Sequence, residues 1–528
     1  MSTHKSIDRI CILVIVLTLV LTVVFMNGEK LGITVVADED AESYTGSGHF
    51  TSADLEGSWD DNSFTTYIEL TGDGASIRGN GAYAYDGGVV IAGAGWYVLS
   101  GTINDGSIVV DAYDSSKVRL RLEGVDVNCS DNACLIVKQA DKVFLTLAEG
   151  TENSFASGES YSDSALSDNT GGVIYAHDDL TINGSGELTI TASYKHGIDA
   201  NDSLTITGGR VSITAPADGI HVNDDFSFTG ADLTITAGDD AIHTGREIYT
   251  EGGTILVNDC YEGLEASAIT VAGGDITVFS RDDGFNAASG DSEERVFGES
   301  SSNYIRISGG NVTIINETGK DADGLDSNGD IYLEGGTVFI SLKGDGSNCA
   351  LDCGSESGGK LIATGGTVVA CGGSSMAEAF SSDSTQCAVL FNTDNVNPAG
   401  TVFKVLDPEG KEVLSYTPVC SFSSIAFTSP ALKEGETYSV CIGEDTSDLA
   451  LSSTSTTVGQ TGGFGGGFGG GFSGDSAGDP PGNPPEGFDG DRPDGFPGDF
   501  PGGDGEGRGS FPGGRGRGRS DSDDDTAP

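Results

Sequence analysis

Residues 197–244 read GIDANDSLTITGGRVSITAPADGIHVNDDFSFTGADLTITAGDDAIHT, and this stretch decides the fold. It repeats one pattern: a Gly or Ala, an apolar residue and a polar residue, then two short alternating apolar runs separated by a glycine turn. Gly197, Gly219 and Ala241 mark the copies, each 22 residues after the last. A period near 22 predicts one coil of a parallel β-solenoid per repeat, because a single coil cannot bury its apolar face without stacking on its neighbours.

The same column of small residues continues along the chain at Gly263, Gly284, Gly324 and Gly346. The step of 40 residues from Gly284 to Gly324 contains the polar, acidic segment 289–303, which predicts a loop inserted into one coil. The repeat shows no apolar stripe with the spacing of a helix, which excludes a helical repeat protein. We therefore predict an all-β protein whose residues 63–400 form a parallel β-helix with a coil of about 22 residues.

The segments before the repeat predict an exported protein. Residues 1–37 contain Lys5, Arg9 and an unbroken apolar run over residues 10–26. This pattern is typical of a signal peptide or of an uncleaved signal-anchor in the cell membrane, and the two alternatives stay open. In both cases the rest of the chain lies outside the cytoplasm, either secreted or held at the cell surface. Residues 38–62 are acidic and lack sustained periodicity, which predicts a spacer.

The segments after the repeat differ from it in composition. Residues 401–450 contain short β-type runs and are predicted to form a small β module that caps the C-terminal end of the solenoid. Residues 451–528 include the run GGFGGGFGGGF followed by a tail rich in Pro, Gly and Asp. We predict that this last segment is disordered, because it contains too few β-branched residues to form a core.

The charge and the cysteines limit the functional classes. The chain has 26 Lys and Arg against 81 Asp and Glu, a net charge of −55, which excludes a nucleic-acid partner because phosphate contacts require clustered bases. So many carboxylates favour bound Ca²⁺ or a salty environment. The nine cysteines after the apolar run include close pairs that are either disulfides or small core residues: Cys129 and Cys134, Cys349 and Cys353, Cys371 and Cys387, Cys420 and Cys441, with Cys260 left over.

The repeat places acidic residues on both sides of each small residue, and in a solenoid equivalent positions stack about 4.8 Å apart. Stacked carboxylates repel one another, and Ca²⁺ relieves this repulsion because it binds six to eight oxygen ligands. The predicted metal ligands are Asp199, Asp218, Asp239, Asp240, Glu262, Glu265, Asp282, Asp283, Asn286, Asp323 and Asp326. One alternative is turn chemistry, with the carboxylates accepting backbone hydrogen bonds. In another, His221 and His243 join Asp199 and Glu265 in a transition-metal site or are ordinary surface histidines.

Three segments carry a resemblance to a known family: GWYVLSGTINDGSIVVD at 95–111, KVFLTLAEGTENSF at 142–155 and HDDLTINGSGELTI at 177–190. With the recurrent DGI-type turns, they resemble a bacterial family of exported carbohydrate-binding proteins, over about residues 60–450. The resemblance implies a calcium-binding, right-handed parallel β-helix similar to polysaccharide lyases, with cellulose and acidic, pectin-type sugars as ligands. The family's acidic turns fall on Asp218, Asp240, Asp283 and Asp323, whereas Glu262 and His196 depart from the commoner Asp.

Three functional classes follow from these features. We expect a non-catalytic, calcium-dependent protein that binds plant cell-wall polysaccharides, with no catalytic residue. The second class is a pectate-type lyase, in which calcium neutralises a uronate and Lys195 removes the C5 proton. The third is a structural adhesin without a ligand. Sugar-stacking aromatic residues are predicted at Tyr194, Tyr261, Phe285 and Tyr304, which lie in or near turns.

Overall fold

The computed structural model of the protein describes residues 46–57, 65–288, 302–318, 322–344 and 348–460. All of them lie in one compact unit, drawn from residues 1–289 and 296–462, and the second unit contains none of them. The predicted signal segment, the segment 461–528 of the predicted tail and most of the predicted inserted loop lie outside the described residues. Within the described ranges, no helix has the length and hydrophobicity needed to span a membrane.

The regular secondary structure of the described chain is almost entirely β-strand. In chain order, the first strands are β1 (Thr66–Gly72), β2 (Ala75–Arg78), β3 (Ala82–Tyr85), β4 (Gly88–Ile91), β5 (Gly95–Ile103), β6 (Ser107–Asp111), β7 (Lys117–Cys129), β8 (Leu135–Gln139), β9 (Lys142–Leu147) and β10 (Glu152–Ser157). A short helix, α1 (Asp163–Ser167), follows them.

The strands that carry the 22-residue repeat come next. They are β11 (Gly172–Ala176), β12 (Leu180–Gly184), β13 (Glu187–Thr191), β14 (His196–Ala200), β15 (Leu204–Ile206), β16 (Arg210–Ala215), β17 (Ile220–Val222), β18 (Phe226–Phe228), β19 (Asp232–Ala237), β20 (Ile242–Thr244), β21 (Glu247–Cys260), β22 (Leu264–Ala266), β23 (Ala268–Ser280) and β24 (Phe285–Ala287).

The C-terminal strands complete the fold. They are β25 (Tyr304–Ile307), β26 (Asn311–Asn316), β27 (Leu325–Ser327), β28 (Asp330–Leu333), β29 (Thr337–Leu342), β30 (Leu351–Cys353), β31 (Leu361–Ala363), β32 (Thr367–Gly372), β33 (Ala388–Asn397), β34 (Phe403–Leu406), β35 (Glu412–Tyr416), β36 (Phe422–Thr428), β37 (Thr437–Ile442), β38 (Asp445–Ala450) and β39 (Ser455–Val458). A 3-10 turn, Ser355–Ser357, lies between β30 and β31.

Each repeat contributes three strands, and each strand pairs in parallel with its counterpart in the next repeat. β14, β15 and β16 form one such set, and they pair with β17, β18 and β19. The strands thus form three rows: face A contains β14 and β17, face B contains β15 and β18, and face C contains β16 and β19. Faces B and C belong to one sheet, because the long strands β5, β7, β21 and β23 run through both of them. This architecture of stacked coils is consistent with the predicted solenoid.

The alternation of side chains along each short strand builds the core, because successive side chains of a strand point to opposite sides. On face A, Ile198, Ile220 and Ile242 occupy equivalent inward positions and are fully buried. The residue after each of them points outward and belongs to the candidate site. The coils approach closely at Gly263, where a Cβ would lie 2.1 Å from the carbonyl oxygen of Gly284.

One of the predicted coil positions is wrong. The pairing of Leu325 with Leu351 shows that Ala350, and not Gly346, follows Gly324 in the column of small residues. The sequence Gly-Asp-Gly at residues 344–346 resembles the repeat motif. The small, apolar and polar positions of the motif are instead occupied by Ala350, Leu351 and Asp352. Alanine takes the place of glycine here, as it does at Ala241.

The N-terminal segment 46–57, predicted to be a spacer, packs on face B. His49 stacks on Tyr249 with 3.6 Å between ring centroids, and Phe50 is fully buried. The Asp54 carboxylate lies 2.8 Å from the Lys142 Nζ and accepts a hydrogen bond from Thr181. Burial raises the pKa of Asp54, but the attraction and hydrogen bond of Lys142 outweigh it and lower that pKa. The segment is therefore part of the folded unit.

The C-terminal residues close the stack. Strand β36 pairs antiparallel with β32, and β33 pairs with β36 and β39, so that strands extend beyond residue 450 to Val458. Strands β35, β34, β37 and β38 form a separate four-stranded sheet within the predicted module. All nine cysteines of the described residues are free thiols, and eight of them are buried. This agrees with the interpretation of the cysteines as small core residues.

Candidate metal and ligand site

The residues that precede the small residues of the repeat form a row on the surface, which we call the turn column: His196, Asp218, Asp240, Glu262, Asp283 and Asp323. Their backbones are joined from coil to coil, for example by the hydrogen bond from Gly219 N to the Asp240 carbonyl. The side chains of Asp218, Asp240 and Asp283 are buried. The column thus brings five predicted metal ligands into one line.

The outward residues of face A form a second row, the strand column: Asp199, His221, His243, Glu265, Asn286, Asp326 and Asp352. Each lies opposite the next in the parallel register of its strands. Asp352 was missed from the sequence, because the motif was assigned to Gly346 instead of Ala350. The tripeptide Ala350-Leu351-Asp352 has the small, apolar and polar order of the repeat motif and would have identified Asp352.

A third row flanks the turn column, and backbone hydrogen bonds between coils join its members in the order Lys195, Ala217, Asp239, Tyr261 and Asp282. Lys195 is exposed and has a φ of 45°, in the left-handed region that side chains rarely adopt. Its Nζ lies 5.8 Å from the centre of the Tyr194 ring, and its charge acts on the buried Asp199 carboxyl. Asp239 and Asp282 are half-buried on either side of Tyr261.

From Glu262 onward, the described residues of the turn column and the strand column offer a metal ion only carboxylate and amide oxygens, and we call these the oxygen-only coils. Burial, and then repulsion by Glu265, raise the pKa of Glu262 to about 8. Burial and the neighbouring Asp323 and Asp326 raise the pKa of Asp283 well above its ordinary value. Asn286 donates a hydrogen bond of 2.8 Å to Glu262 Oε2. Carboxyl groups face one another in this half of the site, and the set of carboxylate and amide oxygens fits the ligand preference of Ca²⁺.

Turn chemistry is present as well. The backbone N–H of Asp323 donates a hydrogen bond of 2.6 Å to Asp283 Oδ1, and the N–H of Asp240 donates one of 3.2 Å to Asp218 Oδ1. The Asp323 carboxylate accepts in the same way from Cys349 N–H. In each case the turn uses one oxygen of the carboxylate, so turn chemistry and metal binding are compatible.

The coils from His196 to His243 contain nitrogen donors between the carboxylates. Burial raises the pKa of Asp218, but its close contacts with His196 and His221 outweigh burial and lower that pKa far below its ordinary value. Burial lowers the pKa of His243, but Asp240 and Glu265 reverse this and raise it to about 11. Burial and Glu265 raise the pKa of Asp240 to about 9. Imidazole groups therefore compensate the negative charge here, unlike in the oxygen-only coils.

The four predicted sugar-stacking residues lie in different environments. Phe285 is fully buried in the core, so its prediction as a ligand residue is wrong. It occupies the inward position of face A, equivalent to Ile198. Tyr304 lies on face B, opposite Ala268, away from the site columns. Tyr261 is 43% exposed and flanks the turn column, and half-buried Tyr194 packs against Tyr161 at 4.7 Å. Tyr194 and Tyr261 are therefore the two that lie beside the carboxylates.

We expect the substitution Glu262→Gln to stabilise the metal-free protein at pH 8. The raised pKa of Glu262 means that, between about pH 4 and pH 8, the native state retains a proton that the unfolded state releases, so stability falls as the pH rises through this window. Glutamine removes this loss and can still accept the Asn286 hydrogen bond. The expected gain at pH 8 is on the order of 1 kcal/mol, the free energy of about one pKa unit.

Urea unfolding in chelator at pH 5 and pH 8 measures this effect. Glu409→Gln is the matched control, because Glu409 is exposed on the C-terminal module. The stability advantage of the Glu262→Gln protein over the wild type should be larger at pH 8 than at pH 5. If the free energies of unfolding differ by the same amount at both pH values, repulsion in the turn column is weaker than the structure indicates.

Comparison with known proteins adds three findings. Residues 85–346, just under half of the chain, match the family described as "Carbohydrate-binding domain-containing protein". A protein of that description from Acetivibrio thermocellus is 38% identical over 128 residues, which cover 24% of this chain and 45% of the relative. The matched region thus spans less than half of the relative's length. The solved structure of a polysaccharide lyase-like protein from C. thermocellum, a gadolinium derivative, is 25% identical with a TM-score of 0.36, covering 56% of this chain and 96% of that chain.

Proposed function

We propose that this chain is an exported, calcium-dependent and non-catalytic binder of plant cell-wall polysaccharides, a function supported by the match of residues 85–346 to the carbohydrate-binding domain family. The single observation that carries the calcium dependence is the oxygen-only half of the turn column. There, burial and neighbouring carboxylates raise the pKa values of Glu262, Asp283 and Asp323. A bound divalent cation removes this repulsion.

The charge of the chain favours calcium as the link to an acidic sugar. A protein with a net charge of −55 repels a polymer such as polygalacturonate at long range. Glu262, Asp283, Asp323, Asn286 and Asp326 would hold calcium ions, and these would supply positive charge for a uronate carboxylate to share. Tyr261, exposed beside this row, offers a ring face for stacking on a sugar. Neutral cellulose needs no such bridge, so its binding is expected to be independent of calcium.

We also propose a handedness for the coils and a location for the protein. We infer a right-handed parallel β-helix, because parallel strands of one sheet joined by a crossover are right-handed in about 98% of cases. Export rests on the apolar run at residues 10–26. A signal-anchor in that run would place the site outside the cell membrane, within reach of a polysaccharide, and a cleaved signal peptide would release the protein.

A pull-down of the full chain on insoluble polygalacturonate and on cellulose tests this function. We expect retention on polygalacturonate in millimolar calcium and its loss in chelator, with magnesium unable to replace calcium because it demands a rigid octahedral shell. Retention on polygalacturonate that chelator leaves unchanged contradicts calcium bridging. Failure to bind any polysaccharide contradicts the function itself.

A lyase is the second candidate, because Lys195 combines an unusual backbone conformation with a position beside Asp199. A lyase would release unsaturated sugars, which absorb ultraviolet light through their C4–C5 double bond. We expect no such absorbance when the full chain is incubated with polygalacturonate and calcium. Product formation that disappears in the Lys195→Ala protein would make the chain an enzyme.

A further inference from the structure

Three histidines on successive coils distinguish one end of the site from the rest. The rings of His196 and His221 stack with 4.7 Å between their centroids, and those of His221 and His243 with 4.9 Å. All three Nδ1 atoms face carboxylates of the turn column or the strand column. Calcium sites are built from oxygen ligands, so the oxygen-based account of the other coils does not explain this group.

Asp218 lies between two of these histidines. Its Oδ2 is 2.8 Å from His221 Nδ1 and 3.1 Å from His196 Nδ1. The His196 Nδ1 atom is nevertheless buried without a hydrogen bond of acceptable geometry. One carboxylate oxygen is thus shared by two imidazoles, and one of the two nitrogens is left poorly satisfied. Buried polar atoms are rarely left in this state unless another partner completes them.

The three atoms are placed as ligands of one metal ion would be. His196 Nδ1, Asp218 Oδ2 and His221 Nδ1 all lie within 4.8 Å of one another. Ligand atoms of a tetrahedral site with bonds of about 2.0–2.2 Å are separated by roughly 3.3–3.6 Å, so a small adjustment of the side chains admits an ion. The sequence suggested a different group, His221 and His243 with Asp199 and Glu265. The structure instead joins His221 to His196 through Asp218.

We propose that His196, Asp218 and His221 form a binding site for a divalent transition-metal ion of the zinc class, and Asp218, which the sequence predicted as a calcium ligand, is assigned here to that ion. This site is separate from the proposed calcium ligands of the coils from Glu262 onward. Imidazole nitrogen selects Zn²⁺, Co²⁺ or Ni²⁺ over Ca²⁺ and Mg²⁺, which prefer oxygen. Three protein ligands leave a fourth position of the ion for water or a ligand oxygen. Asp240, His243 and Glu265 also cluster, but they offer a single nitrogen and therefore a weaker site for such an ion.

A zinc titration in the presence of excess calcium tests this site. The full chain is stripped with chelator, returned to millimolar calcium so that the oxygen-only coils are occupied, and titrated with Zn²⁺ against a chromophoric competitor. We expect one tight equivalent of zinc, and Co²⁺ in its place should give the visible absorption of a tetrahedral complex. Because calcium is present throughout, a failure here leaves the calcium-dependent function untouched.

Two substitutions decide the assignment. His221→Asn, whose amide can still donate to Asp218, should weaken zinc binding at least 30-fold, and His196→Gln should do the same if the first variant folds poorly. His177→Asn is the matched control and should change the affinity less than twofold, because His177 is exposed and lies outside the cluster. Zinc binding at wild-type strength in folded His221→Asn or His196→Gln protein overturns the proposal, and so does the absence of zinc binding by the wild type.

Discussion

Removing calcium from the full chain is expected to lower its free energy of unfolding by about 5 kcal/mol or more. Binding to the native state alone contributes about 2.7 kcal/mol per site at a concentration 100 times the dissociation constant, and the oxygen-only coils offer donors for at least two ions. Without the cation, the repulsion among Glu262, Asp283 and Asp323 opposes folding as well. Urea unfolding in excess calcium and in chelator measures the difference.

The effect should grow with pH, because calcium competes with protons for the carboxylates. The pKa of Glu262 is raised to about 8, so stabilisation by calcium should be larger at pH 8 than at pH 5. Asp283→Asn should reduce the calcium dependence, whereas Asp445→Asn, on an exposed strand of the C-terminal module, should leave it unchanged. Identical unfolding curves in calcium and in chelator would mean that the carboxylates of the columns only accept backbone hydrogen bonds in the turns and bind no calcium.

The substitution Phe285→Ala is expected to cost about 3–5 kcal/mol of stability, because it removes a fully buried aromatic side chain from a close-packed core. Its neighbours in the row, Leu264 and Leu325, are equally buried and are held in register by the parallel strands. They therefore cannot move far enough to fill the cavity. Urea or thermal unfolding in saturating calcium measures the loss.

Tyr261→Ala is the matched comparison on the same coils. Because Tyr261 is 43% exposed, its loss should change stability by about 0.5 kcal/mol or less while weakening retention on polysaccharide. Phe285→Ala protein that remains folded should retain the polysaccharide. A stable Phe285→Ala protein that no longer binds the polysaccharide would instead support the original prediction that Phe285 contacts the sugar.

The spacing of the repeat predicted the rows of the site well, because a parallel register converts equal positions in the sequence into neighbours in space. Asp199, His221, His243, Glu265 and Asn286 are stacked in that order. Phe285 could have been assigned to the core from the same pattern. It fills the apolar position of the motif, and the residue after it points outward.

The periodicity of the sequence could not predict some other features of the structure. Residues 46–57 contain no repeat, and their packing depends on Asp54 meeting Lys142 and Thr181, which are distant in the sequence. The coil that contains Ala350 was predicted four residues too early, because the nearby sequence Gly-Asp-Gly resembles the repeat motif. Spacing alone could not show that one oxygen of Asp218 contacts both His196 and His221, because that contact depends on side-chain conformations on two neighbouring coils.

Retention of a soluble oligogalacturonate by the immobilised full chain, measured as calcium is titrated, tests the central claim most directly. The account predicts that retention rises with calcium occupancy, disappears in chelator and is lost in the double variant Asp283→Asn, Asp323→Asn at calcium concentrations that saturate the wild type. The Asp445→Asn protein should behave as the wild type does. Retention that persists in chelator, or in the folded double variant at saturating calcium, would contradict the claim that calcium held by the turn column binds the sugar.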